Sequence, residues 1–245
     1  LIDKKFLVTS LDEEAGLELT YLKLKEYLKD RASKKTIRQS AAVFCWGNDD
    51  FKILKDINSK NKSNIIKTGS PRVDLWKSTF LNYWGKPNKK PKKPFLLISS
   101  NMGNSNGIQS FSEVIRMHRD LGYFERNPLL FNELFEQRAE DVLKTSDFIE
   151  AINHLAKSNN KYDIVFRPHP TEDIDIWKFY FRGMSNVHVI QEGSITVWVN
   201  NAFAVMHNGC TTALETLFIG KPLITYLPSK RKYKMNLPNK LGFQI

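Results

Sequence analysis

Short apolar runs alternate along this chain with longer segments whose apolar residues recur every three or four positions. The runs at 95–99 (FLLIS), 163–166 (DIVF) and 204–206 (AVM) are dominated by apolar residues, a pattern typical of buried parallel strands. From 129 to 157 the apolar positions repeat with helical spacing, which predicts a long helix with one buried face.

From residue 95 onwards the pattern predicts strand, helices, strand, strand, helix, strand, helix and strand. Before residue 85, apolar runs at 4–10, 41–46 and 65–66 form a smaller version of the same alternation. Strands that alternate with helices favour parallel sheets covered on both faces. The sequence therefore predicts an α/β protein with doubly wound sheets.

This alternation is interrupted at 83–94 (YWGKPNKKPKKP), where proline and lysine replace the apolar periodicity. We place a domain boundary there, because 245 residues are enough for two domains of ordinary size. The predicted organisation is an N-terminal domain at 1–85, a linker at 86–94 and a C-terminal domain at 95–245.

Composition narrows the class of protein. The apolar content of 41% is ample for a core, and no apolar run reaches the length of a membrane span. Cys45 and Cys210 lie within or beside apolar runs, as expected of reduced thiols. Reduced thiols are typical of cytoplasmic proteins, so we expect a cytoplasmic protein.

The net charge of +11 is concentrated in two segments. The lysine-rich runs 86–93 and 230–234 together carry nine positive charges. Such runs attract anionic lipid, nucleic acid or another acidic polymer. The first run is interleaved with prolines, so a solvated linker is the simpler interpretation. Because the interleaved arginine and aromatic residues of an RNA-binding surface are missing, we do not expect a nucleic-acid partner.

Polar turns follow the predicted strands in both halves. They are an acidic loop at 12–16, a turn at 68–72, an asparagine-rich loop at 101–107, His169 between two prolines, and Thr211-Thr212. Carboxyl ends of parallel strands lie at one edge of a sheet. We therefore expect the two domains to direct these turns toward a common cleft.

The turn before the last long helix is the strongest phosphate-site candidate. Asn208 and Gly209 lead into Thr211 and Thr212 at a predicted helix N-terminus, where free backbone N–H groups and the helix dipole favour an anion. The alternative is that Thr211 caps the helix after an ordinary tight turn. The loop at 101–107 likewise either brings a ligand close to the backbone or is a long strand-to-helix connection.

Taken together, the motifs resemble those of bacterial surface-carbohydrate biosynthesis proteins. The matching segments are LDEEAG at 11–16, VFCWGNDD at 43–50, TGSPRVDL at 68–75, LLISSNMG at 96–103, RPHPTE at 167–172, EGSITVW at 192–198 and HNGCTTALE at 207–215. The resemblance implies a glycosyltransferase of the GT-B architecture, with two facing Rossmann-like domains and the nucleotide-sugar in the C-terminal one. It also implies an incomplete N-terminal domain, because family members carry further strands before the acidic motif.

A more distant similarity links the chain to sialyltransferases and Kdo transferases, which use CMP-activated sugars. It implies that Glu13 or Glu14 acts as general base or nucleophile, and that His169 and Pro170 form the His-Pro motif at the phosphate. The chain departs from the pattern at Ala15, which separates the acidic pair from Gly16. We further expect nucleotide or phosphate contacts from Asn101, Gly103, Arg167, Ser194, Asn208, Gly209, Thr211, Thr212 and Glu215.

These observations predict a transferase that joins a nucleotide-sugar donor, CMP-Kdo or another CMP-nonulosonate, to a glycan or lipid-linked acceptor. No metal or other cofactor is expected, because His169 and the helix N-terminus can stabilise the departing phosphate. Peripheral contact with an anionic membrane is left open. The alternatives are a teichoic-acid-type transferase that uses a CDP-activated polyol, and a non-catalytic protein that binds an anionic polymer.

Overall fold

Two parallel sheets form the framework of the protein in a computed structural model that describes residues 6–13, 20–58, 64–158, 161–227 and 235–245. The chain divides into two compact units, Leu1–Phe80 and Leu81–Ile245. This division falls a few residues before the predicted boundary, so the predicted linker lies within the second unit. Residues just after the division are joined to that unit, since Asn201 Nδ2 donates to the Gly85 carbonyl over 3.4 Å.

The first unit holds a three-stranded sheet in the order β1-β2-β3. Its core joins Ile37, Val43, Leu54 and Ile65. In chain order its elements are β1 (Thr9–Leu11), α1 (Tyr21–Arg31), α2 (Lys34–Gln39), β2 (Ala42–Cys45), α3 (Asn48–Ile57), β3 (Ile65–Lys67) and α4 (Pro71–Asp74). A 3-10 helix, Ser78–Trp84, follows.

The second unit is built on a six-stranded sheet whose neighbouring strands are all parallel. Its strands are β4 (Phe95–Ser99), β5 (Asp163–Arg167), β6 (Val187–Val189), β7 (Ala204–His207), β8 (Leu223–Thr225) and β9 (Phe243–Gln244). Their spatial order is β6-β5-β4-β7-β8-β9, the strand order of the Rossmann fold. The direction of strand addition therefore reverses between β4 and β7.

Helices cover both faces of this sheet. They are α5 (Gly103–Asn106), α6 (Phe111–Asp120), α7 (Tyr123–Arg126), α8 (Leu130–Ser158), α9 (Ile174–Tyr180), α10 (Ile195–Asn201) and α11 (Thr212–Ile219), with a 3-10 helix at Pro238–Lys240. Successive residues of β4 point to opposite faces. Accordingly Ile98 packs in a cluster with Phe148 and Trp177, and Leu97 packs in a separate cluster with Trp198.

No helix within the described ranges combines the length and the apolar character needed to span a membrane.

The predicted α/β class with parallel sheets is confirmed, and β4, β5, β7 and α8 lie where the apolar pattern placed them. The prediction of two successive strands without an intervening helix was wrong, because α9 lies between β5 and β6. This helix is only seven residues long, and the Asp173 carboxylate caps it by accepting from the Asp175 and Ile176 amides. The edge strand β9 was also not predicted.

Candidate functional site

The turns that follow β4, β5 and β7 lie side by side at the carboxyl edge of the six-stranded sheet. Since β4 lies between β5 and β7, the outer two of these strands are roughly 10 Å apart. In sheets of this order, ligands bind outside the strand ends at the point of reversal. The turns at 100–103, 168–172 and 208–212 therefore form the candidate site of this unit.

A buried carboxylate joins the first two turns. Glu172 has 0% exposure, and its Oε1 accepts hydrogen bonds from the Met102 amide over 2.9 Å and the His169 amide over 3.2 Å. The Ser100 hydroxyl lies 2.9 Å from each carboxylate oxygen, and Trp177 Nε1 donates to Oε2 over 2.8 Å. Burial raises the pKa of Glu172, and these hydrogen bonds oppose the shift by favouring the ionised form.

Backbone contacts bring the same segments together. Gly107 and Glu172 form an antiparallel bridge, and the Ile108 amide donates to the Thr171 carbonyl over 2.9 Å. A Cβ on Gly103 would lie 2.8 Å from Thr171 Oγ1. A side chain at 103 would therefore force the Thr171 hydroxyl to move.

The asparagine-rich loop is anchored on α8 through its short helix α5. Asn104 Nδ2 donates to the Asp141 carboxylate over 3.0 Å, and the hydroxyls of Ser105 and Thr145 are 2.6 Å apart. Burial raises the pKa of Asp141. The predicted 101–107 loop is therefore partly helical and packed, while Asn101 at its start is exposed.

His169 is exposed at the end of the second turn, and its ring orientation is set by Thr171. The Thr171 amide donates to His169 Nδ1 over 3.3 Å, and the Thr171 hydroxyl lies 2.8 Å from the same nitrogen. Because Nδ1 accepts a hydrogen bond, the neutral ring carries its proton on Nε2. The exposed imidazole therefore has an N–H donor available for a ligand. Pro170 beside it is exposed too.

Arg167, at the end of β5, is buried and organises the loop that follows β6. Its guanidinium donates to the carbonyls of Glu192 over 2.6 Å, Gly193 over 2.8 Å and Gln191 over 3.3 Å. Desolvation lowers the pKa of Arg167 to about 10, and the nearby Glu215, 1% exposed, opposes this shift. These two predicted ligand-binding residues thus form a buried pair of opposite charges.

Ser194, also a predicted phosphate ligand, is exposed and caps α10. Its hydroxyl accepts from the Thr196 amide over 3.3 Å. The structure therefore gives Ser194 a helix-capping role.

A second buried network fixes the turn after β7. His207 has 0% exposure; its Nδ1 accepts from the Gly209 amide over 2.9 Å and its Nε2 lies 2.8 Å from Thr225 Oγ1. Desolvation lowers the pKa of His207 to about 4, so the ring is neutral at physiological pH. Gly209 has φ 114°, and a Cβ there would lie 2.6 Å from Asn239 Nδ2.

Unpartnered polar groups follow this network. Asn208 is 6% exposed, and neither its Oδ1 nor its Nδ2 has a hydrogen-bond partner within the part of the chain that the structure describes. At the start of α11, Thr211 makes no side-chain cap. The amides of Thr211 and Thr212 likewise have no acceptor among the described residues. The simple capping alternative therefore does not account for Thr211.

The predicted acidic pair belongs to the first unit. Glu13 is exposed after β1, and Glu14 lies outside the described residues. The preceding carboxylate, Asp12, pairs with Arg31 Nε over 3.0 Å. The roles of Glu13 and Glu14 stay predictions.

Asp173 and Asp175 have the Asp-X-Asp spacing of some metal-binding motifs. The structure gives Asp173 the cap of α9, and Asp175 Oδ1 pairs with Lys178 over 3.1 Å. Within the described ranges, no group of three or more His, Cys, Asp or Glu side chains is arranged to hold a metal ion.

No protein-family model matches the chain, and no curated protein matches it. Among solved structures, S. aureus MnaA with UDP matches with a TM-score of 0.48 and 11% identity over 92% of this chain and 52% of that chain. UDP-GlcNAc 2-epimerase from Neisseria meningitidis bound to UDP-GlcNAc matches with a TM-score of 0.46 and 15% identity, over 91% and 54%. The wall teichoic acid polymerase TagF matches with a TM-score of 0.37 and 8% identity, over 82% and 43%. The chain thus spans about half the length of the structures that it matches.

The predicted ligand-contacting residues of the second unit lie at or shortly after strand ends at the carboxyl edge of its sheet, apart from Glu215 further along α11. Sequence reasoning missed Glu172, His207 and Asp141, which position the turns rather than face solvent. For Glu172 the sequence carried one signal, a carboxylate three positions after His169. For Asp141, within a long helix, no local signal was present.

Proposed function

We propose that the protein is a metal-independent transferase that binds a cytidine nucleotide at the carboxyl edge of the six-stranded sheet and transfers the activated group to a glycan acceptor. The observation that supports it most is the presence of unpaired donors at the strand reversal. They are the exposed His169 imidazole, the Thr211 and Thr212 amides and the buried Asn208 side chain.

These groups suit a phosphate because each can donate to an anionic oxygen. The first turn of α11 adds the positive end of a helix dipole. When the bond to the leaving nucleotide breaks, negative charge develops on its phosphate. Donors already oriented toward that position would stabilise the charge without reorganisation.

The acceptor hydroxyl must lose a proton as it attacks. A carboxylate is suited to accept it, and Glu13 or Glu14 is proposed as that base. The donor is proposed to be CMP-Kdo or another CMP-nonulosonate, with cytoplasmic action on a surface polysaccharide or lipid-linked glycan. The lysines at 86–93 are proposed to contact an anionic membrane surface.

Calorimetric titration of the protein with CMP, CDP-glycerol, UDP and GDP tests the nucleotide. We expect CMP to bind, and His169→Ala to weaken CMP binding about 10- to 100-fold, the size of a charge-assisted hydrogen bond. His154→Ala is the matched control, because His154 is exposed on α8, away from the strand ends. Affinity for UDP or GDP with none for cytidine nucleotides would contradict the donor proposal.

Product analysis with a CMP-sugar and with CDP-glycerol then separates the two kinds of transfer. Release of CMP together with a glycosylated acceptor supports sugar transfer. Release of CMP from CDP-glycerol, with glycerol phosphate joined to the acceptor, would contradict sugar transfer and support polyol-phosphate transfer.

A further inference from the structure

We infer that Glu172 is a positioning residue for His169, coupling the turn after β4 to the His-Pro turn after β5. This inference rests on the proposed function insofar as His169 contacts the ligand. Glu172 itself has 0% exposure, so it acts through its neighbours rather than on the substrate.

The hydrogen bonds to Glu172 favour an ionised carboxylate. The groups around Glu172 are all donors: the Ser100 hydroxyl, the Met102 and His169 amides and Trp177 Nε1. An ionised carboxylate accepts at both oxygens, whereas a glutamine amide has one accepting oxygen and would direct its N–H hydrogens either at Trp177 Nε1 or at the Met102 and His169 amides. Glu172→Gln therefore keeps the shape of the side chain and loses the acceptor on one side of it.

His169 is held at three of its own atoms. Glu172 accepts from its amide over 3.2 Å, Gln191 Nε2 donates to its carbonyl over 2.9 Å, and Thr171 contacts its Nδ1. The flanking prolines cannot donate a backbone hydrogen bond. Loss of the Glu172 carboxylate contact leaves the His169 amide without this acceptor, and we expect the imidazole to be presented differently although the His169 carbonyl keeps its donors.

The Thr171 contact depends on the same carboxylate. Thr171 lies between His169 and Glu172 in sequence, and its hydroxyl packs where a side chain on Gly103 would lie. Met102, which precedes Gly103, and His169 both donate their amides to Glu172, so the segments that flank the Thr171 hydroxyl are attached to one carboxylate. The position of the His169 proton on Nε2 is therefore expected to follow from the Glu172 hydrogen bonds.

A double-mutant cycle on CMP affinity tests this coupling. We expect Glu172→Gln to weaken CMP binding about tenfold in the wild-type background and less than about twofold in His169→Ala, because the two residues act on one contact. Equal losses in both backgrounds, or no loss in the wild-type background, would overturn the inference. Asp163→Asn is the matched control, since Asp163 is also a buried carboxylate but lies at the opposite end of β5, 3.2 Å from His188 Nε2.

A ligand-free measurement separates this inference from the proposed function. The ¹⁵N chemical shifts of the His169 ring report which nitrogen carries the proton. We expect the Nε2–H form in the wild type and a mixture of both forms in Glu172→Gln, with Asp163→Asn like the wild type. If no nucleotide binds, the proposed function fails, and unchanged His169 shifts in Glu172→Gln would then overturn the positioning role independently.

Ser100→Ala provides the same test with less risk to folding. It removes one donor and leaves the carboxylate in place. If Glu172→Gln does not fold, we expect Ser100→Ala to show a smaller shift toward the second ring form, and unchanged His169 shifts in that variant would overturn the inference.

Discussion

The buried imidazole of His207 donates from Nε2 to the hydroxyl of Thr225, 2.8 Å away on the neighbouring strand. The direction follows from the partners, because the Thr225 hydroxyl donates to the Leu241 carbonyl over 2.5 Å. At the other side of the ring, Nδ1 accepts from the Gly209 amide. A protonated ring would direct an Nδ1 hydrogen at that amide, so the network requires the neutral form.

This network predicts a loss of stability in mild acid. Desolvation lowers the pKa of His207 from 6.5 to about 4, so below pH 6.5 the unfolded state binds a proton that the folded state does not. The contribution of the neutral His207 ring to the free energy of unfolding is complete above pH 6.5 and is lost as the pH falls toward 4. From pH 7 to pH 5 the free energy of unfolding should fall by about 2 kcal/mol through this group, as measured by urea denaturation.

The matched variant is His207→Gln, whose amide can still donate to Thr225 but does not titrate. We expect a smaller drop between the two pH values in His207→Gln than in the wild type. His154→Gln, at an exposed site, should keep the wild-type drop. An equal drop in all three proteins would exclude His207 as the source.

Gly209→Ala should destabilise the protein through two separate effects. The φ of 114° is unfavourable for an L-residue, and the new Cβ would lie 2.6 Å from Asn239 Nδ2. We expect a loss of about 2–4 kcal/mol in urea denaturation. Gly183→Ala, with φ 80° and no atom within 4 Å of its Cβ position, isolates the backbone effect and should cost about 1 kcal/mol. Equal losses would show that Asn239 moves aside.

The central strands β4, β5 and β7 were predictable because buried parallel strands are largely apolar. In β4 all five residues are buried, so the strand appears in the sequence as a run of consecutive, mostly apolar residues. The position of His169 was predictable for a similar local reason, since a histidine between two prolines is excluded from a helix or a central strand. Both features depend on near neighbours in the sequence.

The role of Glu172 was not predictable in this way. Its partner Ser100 is 72 positions away, and only the pairing of β4 with β5 brings the two together. An acid just before a helix also resembles an ordinary residue of a helix N-terminus. The hydrogen bonds of Arg167 were not predictable either. Its partners are main-chain carbonyls, which every residue type has, so no particular residue in the sequence indicates them.

Arg167→Lys tests whether this arginine organises the loop or contacts the ligand. Lysine keeps the charge beside Glu215 but cannot donate to three carbonyls in a planar fork. We expect a loss of about 2–4 kcal/mol in stability, with faster amide hydrogen exchange at 191–196. Arg116→Lys, exposed on α6, should be nearly neutral. Wild-type stability together with lost CMP affinity would instead assign the guanidinium to the ligand.

Thr211→Ala and Ser194→Ala should separate ligand binding from helix capping. The Thr211 hydroxyl makes no cap at α11, so its removal should change the free energy of unfolding by less than about 0.5 kcal/mol while weakening CMP binding. The Ser194 hydroxyl accepts from the Thr196 amide, so Ser194→Ala should cost about 1 kcal/mol of stability. Urea denaturation and calorimetry on both variants give the comparison. The comparison is matched because each variant removes one hydroxyl at a helix start. Thr211→Ala could lose as much stability as Ser194→Ala and keep its CMP affinity. That result would assign Thr211 to helix capping and remove it from the phosphate site.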